Sequence, residues 1–151
     1  MGNPSPWRLF CAFDVHGEPK GQPRPRAFSF RGHGRVYNPD SADAWKGRIA
    51  MAALMHLPAR PLDVPVRVAL AFYFPRPVRL DRKAAPDGLV PHVATPDCDN
   101  LAKAVLDCLT GIGMWKDDAQ VCSLIVEKHY AARGQQSGAL VQIFKPTEDA
   151  E

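Results

Sequence analysis

A single α+β domain, a mixed β-sheet with two main helices packed on it, is what the sequence predicts, and three observations predict it. The segment Val64–Phe74 reads as the strongest strand, with Val66, Val68, Leu70, Phe72 and Phe74 on one face. Two other stretches, one after Ser41 and one from Asp99, repeat apolar residues at helical spacing. The 151 residues suit one compact domain and show no internal repeat or boundary, so 1–151 is read as one unit.

The elements follow in order. Residues 8–15 alternate loosely, with Leu9, Cys11 and Phe13 on one side, and read as a first strand. Ala27–Tyr37 holds Phe28, Phe30, Val36 and Tyr37 around Gly32–His33–Gly34, which predicts a short hairpin. Ser41 is the expected N-cap of a helix reaching about His56, with Ala44, Trp45, Ile49, Ala52 and Ala53 at helical spacing. After the 64–74 strand come Pro75, Pro77, Pro86, Pro91 and Pro96. Proline excludes helix interiors and central strands, so 76–96 reads as a long basic loop without a core anchor. Asp99–Thr110 is a helix, apolar along Leu101, Ala104, Val105, Cys108, Leu109 and Ile112, with Asp99, Lys103 and Asp107 opposite. Gly111 and Gly113 end it. Val121–Tyr130 is a strand, and a Gly134–Gly138 turn leads to a last strand at Ala139–Phe144. Both chain ends read as frayed.

Bulk properties exclude more than they assign. No apolar run approaches the roughly 20 residues of a membrane span, and Met1–Arg8 has no signal-peptide pattern, so no membrane role and a cytoplasmic location are expected. Cys11, Cys98, Cys108 and Cys122 form no CxxC pair and sit among apolar neighbours, as reduced core thiols do. Net charge is only +3, yet its distribution is uneven. Residues 20–48 and 76–83 are basic, whereas 97–118 is acidic. An ordinary solvated surface would give such a pattern. So would a basic cleft for phosphates around carboxylates that take a divalent cation.

The chemistry is concentrated in Pro96–Asp97–Cys98–Asp99–Asn100–Leu101–Ala102–Lys103. In an extended segment Asp97 and Asp99 point the same way, and two such carboxylates repel unless a cation lies between them. A hard divalent ion with oxygen ligands, Mg²⁺ with Mn²⁺ as a substitute, is the natural partner. Helix capping by Asp99 or Asn100 is the other use of these residues, and an Asp99–Lys103 surface ion pair the other use of the lysine. Asp117–Asp118 opens the 121–130 strand and is either turn chemistry or a further ligand. If that strand lies beside 64–74, Asp118 joins Asp97 and Asp99 around one or two metals, and Lys103 faces the charge developing on a phosphate.

The run from Asp97 to Lys103, followed by Trp115–Lys116–Asp117–Asp118–Ala119–Gln120–Val121, resembles the signature of the RusA family of Holliday junction resolvases. That pattern is D-x-D-N-x-x-K, then an aspartate pair followed by A/S-Q-V. Lys20–Gly21–Gln22–Pro23–Arg24–Pro25–Arg26 and Tyr37–Asn38–Pro39 look like the K-G-R-P-R and Y-T-P signatures of phage-type members. Some members carry basic residues just before the first acid, where Ala94–Thr95–Pro96 stands here. The resemblance implies catalytic Asp97, Asp99, Asp118 and Lys103, with metal on the three acids. It implies a homodimer that nicks opposed strands of a four-way DNA junction. Arg24, Arg26, Arg31, Arg76, Arg79, Arg82 and Lys83 are the expected phosphate contacts. The rival readings are a branched-DNA binding protein without useful catalysis and a phosphotransfer enzyme acting on small nucleotides. The second lacks a P-loop.

Overall fold

The computed structural model describes residues 6–22 and 42–147. Strands β1 (Trp7–His16), β2 (Val66–Phe74), β3 (Val90–Pro91), β4 (Val121–Tyr130) and β5 (Gly138–Pro146) form one mixed sheet in the order β1-β5-β2-β4-β3. Helices α1 (Ala42–Ala53), continued by a 3-10 turn at Leu54–His56, and α2 (Cys98–Gly111) pack on it. The expected α+β domain is thus observed. The hairpin expected at 27–37, the Ser41 cap, the frayed ends and Arg24, Arg26 and Arg31 lie outside the described residues.

The neighbours β1–β5, β5–β2 and β4–β3 run antiparallel, whereas β2 and β4 run parallel. Parallel neighbours need a crossover, and α2 lies on that connection. Register gives the sheet one core face: Val68, Leu70 and Phe72 of β2 stand level with Ile143, Val141 and Ala139 of β5. Trp45 and Ile49 of α1 and Leu101, Val105 and Leu109 of α2 are buried in the same cluster. Leu101 is fully buried, so Leu101→Ala would cost about 2–5 kcal/mol in lost transfer and cavity energy.

Local departures from the sequence reading have physical causes. A register shift in β1 between Leu9 and Cys11 breaks the period-two pattern, so Leu9 is exposed although Cys11 and Phe13 are buried. Gly138 brings β5 onto β1 so closely that an added Cβ would stand 2.1 Å from the Val15 carbonyl oxygen. Beyond α2, Gly113 takes a φ of +92° while its N–H donates to the Thr110 carbonyl, the backbone a glycine stop provides. Cys11 is buried, and burial pushes its thiol up to about 11. Cys108 is half-buried, its thiol raised by burial and donating to the Lys46 carbonyl of α1. Cys122, expected in the core, is exposed on β4.

The 76–96 segment is also better anchored than expected. It contains a 3-10 turn at Val78–Leu80 and the strand β3, which pairs with His129 and Tyr130 at the end of β4. His92 is buried, stacked on Phe74 at 4.0 Å and tilted against Tyr130 at 4.7 Å. Among the described residues, no helix is long and apolar enough to cross a membrane.

Candidate active site

Helix α2 presents the acidic signature. Asp97 is its N-cap through the backbone, and its carbonyl accepts from the Leu101 N–H. Its carboxylate makes no capping bond, and the cap expected at Asp99 or Asn100 falls instead on Asp97, because the helix begins at Cys98. Asp99 lies exposed in the first turn. Asp99, Lys103, Asp107 and Asp118 line one cleft of about 440 Å³, floored by Leu106 of α2 and Leu124 and Val126 of β4. Lys103 pairs at 3.5 Å with Asp107, one turn onward, instead of with Asp99. Among the described residues, the carboxylates of Asp97, Asp99 and Asp118 enter no ion pair or hydrogen bond.

The second acidic pair divides its labour. Asp117 caps the 3-10 turn Asp118–Gln120, its Oδ1 accepting from the Ala119 N–H at 2.8 Å. The Gln120 carboxamide completes a capping box. Asp117 therefore does the turn chemistry, and the Asp118 carboxylate, in the cleft, has no partner among the described residues.

The strand β4 does lie beside β2, the condition under which Asp118 was expected to meet Asp97 and Asp99. The three acids nevertheless do not gather in one chain. A parallel crossover sets the start of α2 and the start of β4 at opposite ends of the layer. Pro96, next to Asp97, accepts at 3.0 Å from Lys128 Nζ, the eighth residue of β4, whereas Asp118 precedes its first. Seven residues of parallel strand span roughly 23 Å. Along α2 itself, Asp99 and Asp107 stand about 12 Å apart at 1.5 Å per residue. Asp99 and Asp118 line the cleft and Asp97 does not, and among the described residues no three metal-ligating side chains lie close enough to hold an ion.

Two lysines stand at the end where α2 begins, and one of them, Lys20, pairs with Glu18 at 3.8 Å. Gly21 runs against that helix start, where an added Cβ would meet Asn100 at 3.2 Å and Pro96 at 3.3 Å. Gln22 N–H donates to the Asn100 carbonyl, which sets Lys20 beside Pro96 and Thr95. Lys128 Nζ donates to the carbonyls of Ala94 and Pro96, fixing the chain just before Asp97. That lysine shares the core face with Leu124 and Val126, and a lysine in that period-two row was the signal the sequence offered for it.

Of the expected phosphate contacts, Arg79, Arg82 and Lys83 are exposed, with Arg79 lying over the Tyr130 ring at 5.6 Å. Arg76 is used differently. Its buried guanidinium donates to the carbonyls of Leu80 at 2.9 Å, Gly88 at 3.0 Å, Ala131 at 3.2 Å and Pro86. Arg133, which the sequence reading passed over, donates to the carbonyls of Asp81, Ala85 and Arg82 and pairs with Asp87 at 2.7 Å. Together the two arginines hold the 76–96 segment in place.

Carboxylates without a partner among the described residues, beside an ammonium, suit metal-assisted phosphodiester hydrolysis. The donor chemistry of Asp99 and Asp118 suits a hard cation, since Mg²⁺ typically takes one or two carboxylates and keeps several waters. Comparison with known proteins points the same way. The profile of the family described as "Endodeoxyribonuclease RusA" matches residues 16–143. The chain is 33% identical over 124 residues to "Uncharacterized protein YqaN" of Bacillus subtilis (strain 168), covering 79% of this chain and 87% of that protein.

Proposed function

The chain belongs to the RusA endodeoxyribonuclease family, and from that premise we propose that it is a Mg²⁺-dependent, structure-selective endonuclease that resolves four-way DNA junctions by paired nicks in opposed strands. Family membership gives nuclease-type activity in general. The observation that carries the finer reading is the shared cleft, in which Asp99 and Asp118 keep free carboxylates on either side of the Lys103–Asp107 pair.

Asp97, Asp99 and Asp118 would hold the metal, with Mn²⁺ able to substitute. When bound, such an ion supplies an activated water and neutralises charge on the phosphate. Lys103, held at its ammonium by Asp107, stabilises the negative charge that grows on the phosphate oxygens during attack. Arg79, Arg82 and Lys83 contact the DNA backbone in this reading, as do Arg24, Arg26 and Arg31. Such contacts position the duplex without reading its bases. Arg76 serves this surface indirectly, by shaping the segment that carries Arg79, Arg82 and Lys83.

Two opposed nicks call for two sites related by a twofold axis, so the working unit of this reading is a homodimer. The separation of Asp97 from Asp118 along α2 supports it, because the second chain's acids would close the gap between them.

The test uses synthetic four-way junction, linear duplex and free nucleotide with Mg²⁺ or EDTA. Wild type should cut the junction alone, with Mg²⁺ alone. Asp97→Asn, Asp99→Asn and Asp118→Asn should each bind the junction and fail to cut it. Mixing Asp97→Asn chains with Asp118→Asn chains should restore one working site per dimer. Tight junction binding without cutting in wild type would leave a branched-DNA binding protein, and cutting by Asp118→Asn at the full rate would refute the metal site.

A further inference from the structure

The turn that carries Asp118 is fastened by a side chain that lies outside the cleft. Gln120 uses the whole hydrogen-bonding capacity of its carboxamide. Oε1 accepts from the N–H groups of Lys116 at 2.9 Å and Asp117 at 2.8 Å, and Nε2 donates to the carbonyls of Leu62 at 2.8 Å and Val64 at 3.0 Å. The assignment of oxygen and nitrogen is forced by its partners, since the flipped amide would face donors with donors and acceptors with acceptors. The acceptor half closes the turn from within. The donor half ties it to the segment that leads into β2.

Few side chains can replace this one. Glutamate keeps the acceptor half but has no proton to give the two carbonyls. Methionine fills the space and does neither. The stretch before the turn has its own fastenings: Leu62 N–H donates to the Met114 carbonyl at 3.0 Å, Lys116 N–H donates to the Leu62 carbonyl at 3.2 Å, and Lys116 Nζ meets Asp63 at 2.9 Å. The link between 62–64 and 114–116 therefore survives loss of the carboxamide. What goes is the tether next to Asp118.

We infer that Gln120 is a positioning residue for Asp118: its carboxamide fixes the Asp117–Asp118 turn to the 62–64 segment and so sets where the Asp118 carboxylate stands in the cleft. This rests on the reading of Asp118 as a carboxylate of the cleavage site.

The full chain carrying Gln120→Met or Gln120→Glu is compared with wild type. The measurements are junction affinity in EDTA, single-turnover cleavage across a Mg²⁺ series, amide exchange, and the Mg²⁺-induced shift of the Asp118 amide resonance. Gln120→Met should keep junction affinity. It should expose the Asp117 amide to exchange while the Lys116 amide stays on the Leu62 carbonyl, raise the Mg²⁺ midpoint and lower the cleavage rate by about 10–100-fold, the range seen when partners behind a metal ligand are removed. Gln120→Glu should keep the Asp117 amide protected yet still lose rate, because only the donor half is gone. Wild-type rate and midpoint in Gln120→Met would overturn the inference, as would parallel losses of rate, junction affinity and melting temperature. Should wild type itself fail to cut, the reading of the cleft fails. The Asp118 shift then decides alone, and an equal Mg²⁺ midpoint in both proteins, or no shift in either, overturns the positioning role.

Discussion

Replacing Arg76 with methionine keeps the aliphatic stem and removes the guanidinium that four carbonyls share. Two of those bonds, to Leu80 and Ala131, are part-buried, and two, to Gly88 and Pro86, are exposed. Taking about 1.5 kcal/mol for each part-buried bond to a charged donor and about 0.5 kcal/mol for each exposed one gives about 4 kcal/mol for bonds treated as independent. Arg133 would still hold the carbonyls of Asp81, Arg82 and Ala85, so a loss of roughly 2–3 kcal/mol is expected. For a chain of this size that is roughly a 4–12 °C fall in melting temperature at about 2–4 °C per kcal/mol. The assay pairs a thermal melt with limited proteolysis between residues 77 and 91. A segment that opens by itself would show the loss as faster cleavage there. A phosphate contact would behave otherwise, weakening junction binding and reducing the salt slope by about one at unchanged stability. A melting shift under about 2 °C, with unchanged proteolysis and a shallower salt slope, would refute the anchoring argument.

Two further outcomes are expected. Lys103→Ala should change stability by no more than about 0.5 kcal/mol, because the side chain is largely exposed, while its single-turnover rate falls far more; normal turnover would reduce Lys103 to a surface ion pair. Burial, and secondarily the Lys128 charge, lower the folded His92 below its ordinary 6.5, so the unfolded chain takes up that proton first. The stability from a neutral His92 is complete above about pH 6.5 and is lost as pH falls through the lower folded value. Urea midpoints of wild type should therefore drop more steeply below that pH than those of His92→Phe, and coincident slopes would show that His92 does not contribute.

The sequence made the fold legible wherever a period was strong. The β2 row from Val66 to Phe74 and the α2 stripe from Leu101 to Leu109 are buried as their spacing predicts. Leu9 escaped because a bulge is a backbone event with no mark in the apolar pattern. The 76–96 segment was misread for a related reason. Its anchors are main-chain oxygens gripped by Arg76 and by a distant Arg133, and carbonyls carry no sequence signature. At the site, motif spacing picked out Asp99, Lys103 and Asp118, which do share a cleft. It could not show that Asp97 and Asp118 lie toward opposite ends of α2, because spacing along a chain does not reveal which end of a crossover a residue occupies.

The way the 76–96 segment is held also bears on how freely it can change. Apart from ion pairs to Asp81 and Asp87, Arg76 and Arg133 grip only backbone oxygens there, at residues 80, 81, 82, 85, 86 and 88. A carbonyl is present whatever side chain its residue bears. Positions 79, 82 and 83 can therefore be rewritten without loosening the scaffold beneath them, provided the two arginines stay. Shape and surface chemistry are thus separately encoded in this segment. A lineage, or a designer, can alter the charge pattern it presents while inheriting its path unchanged.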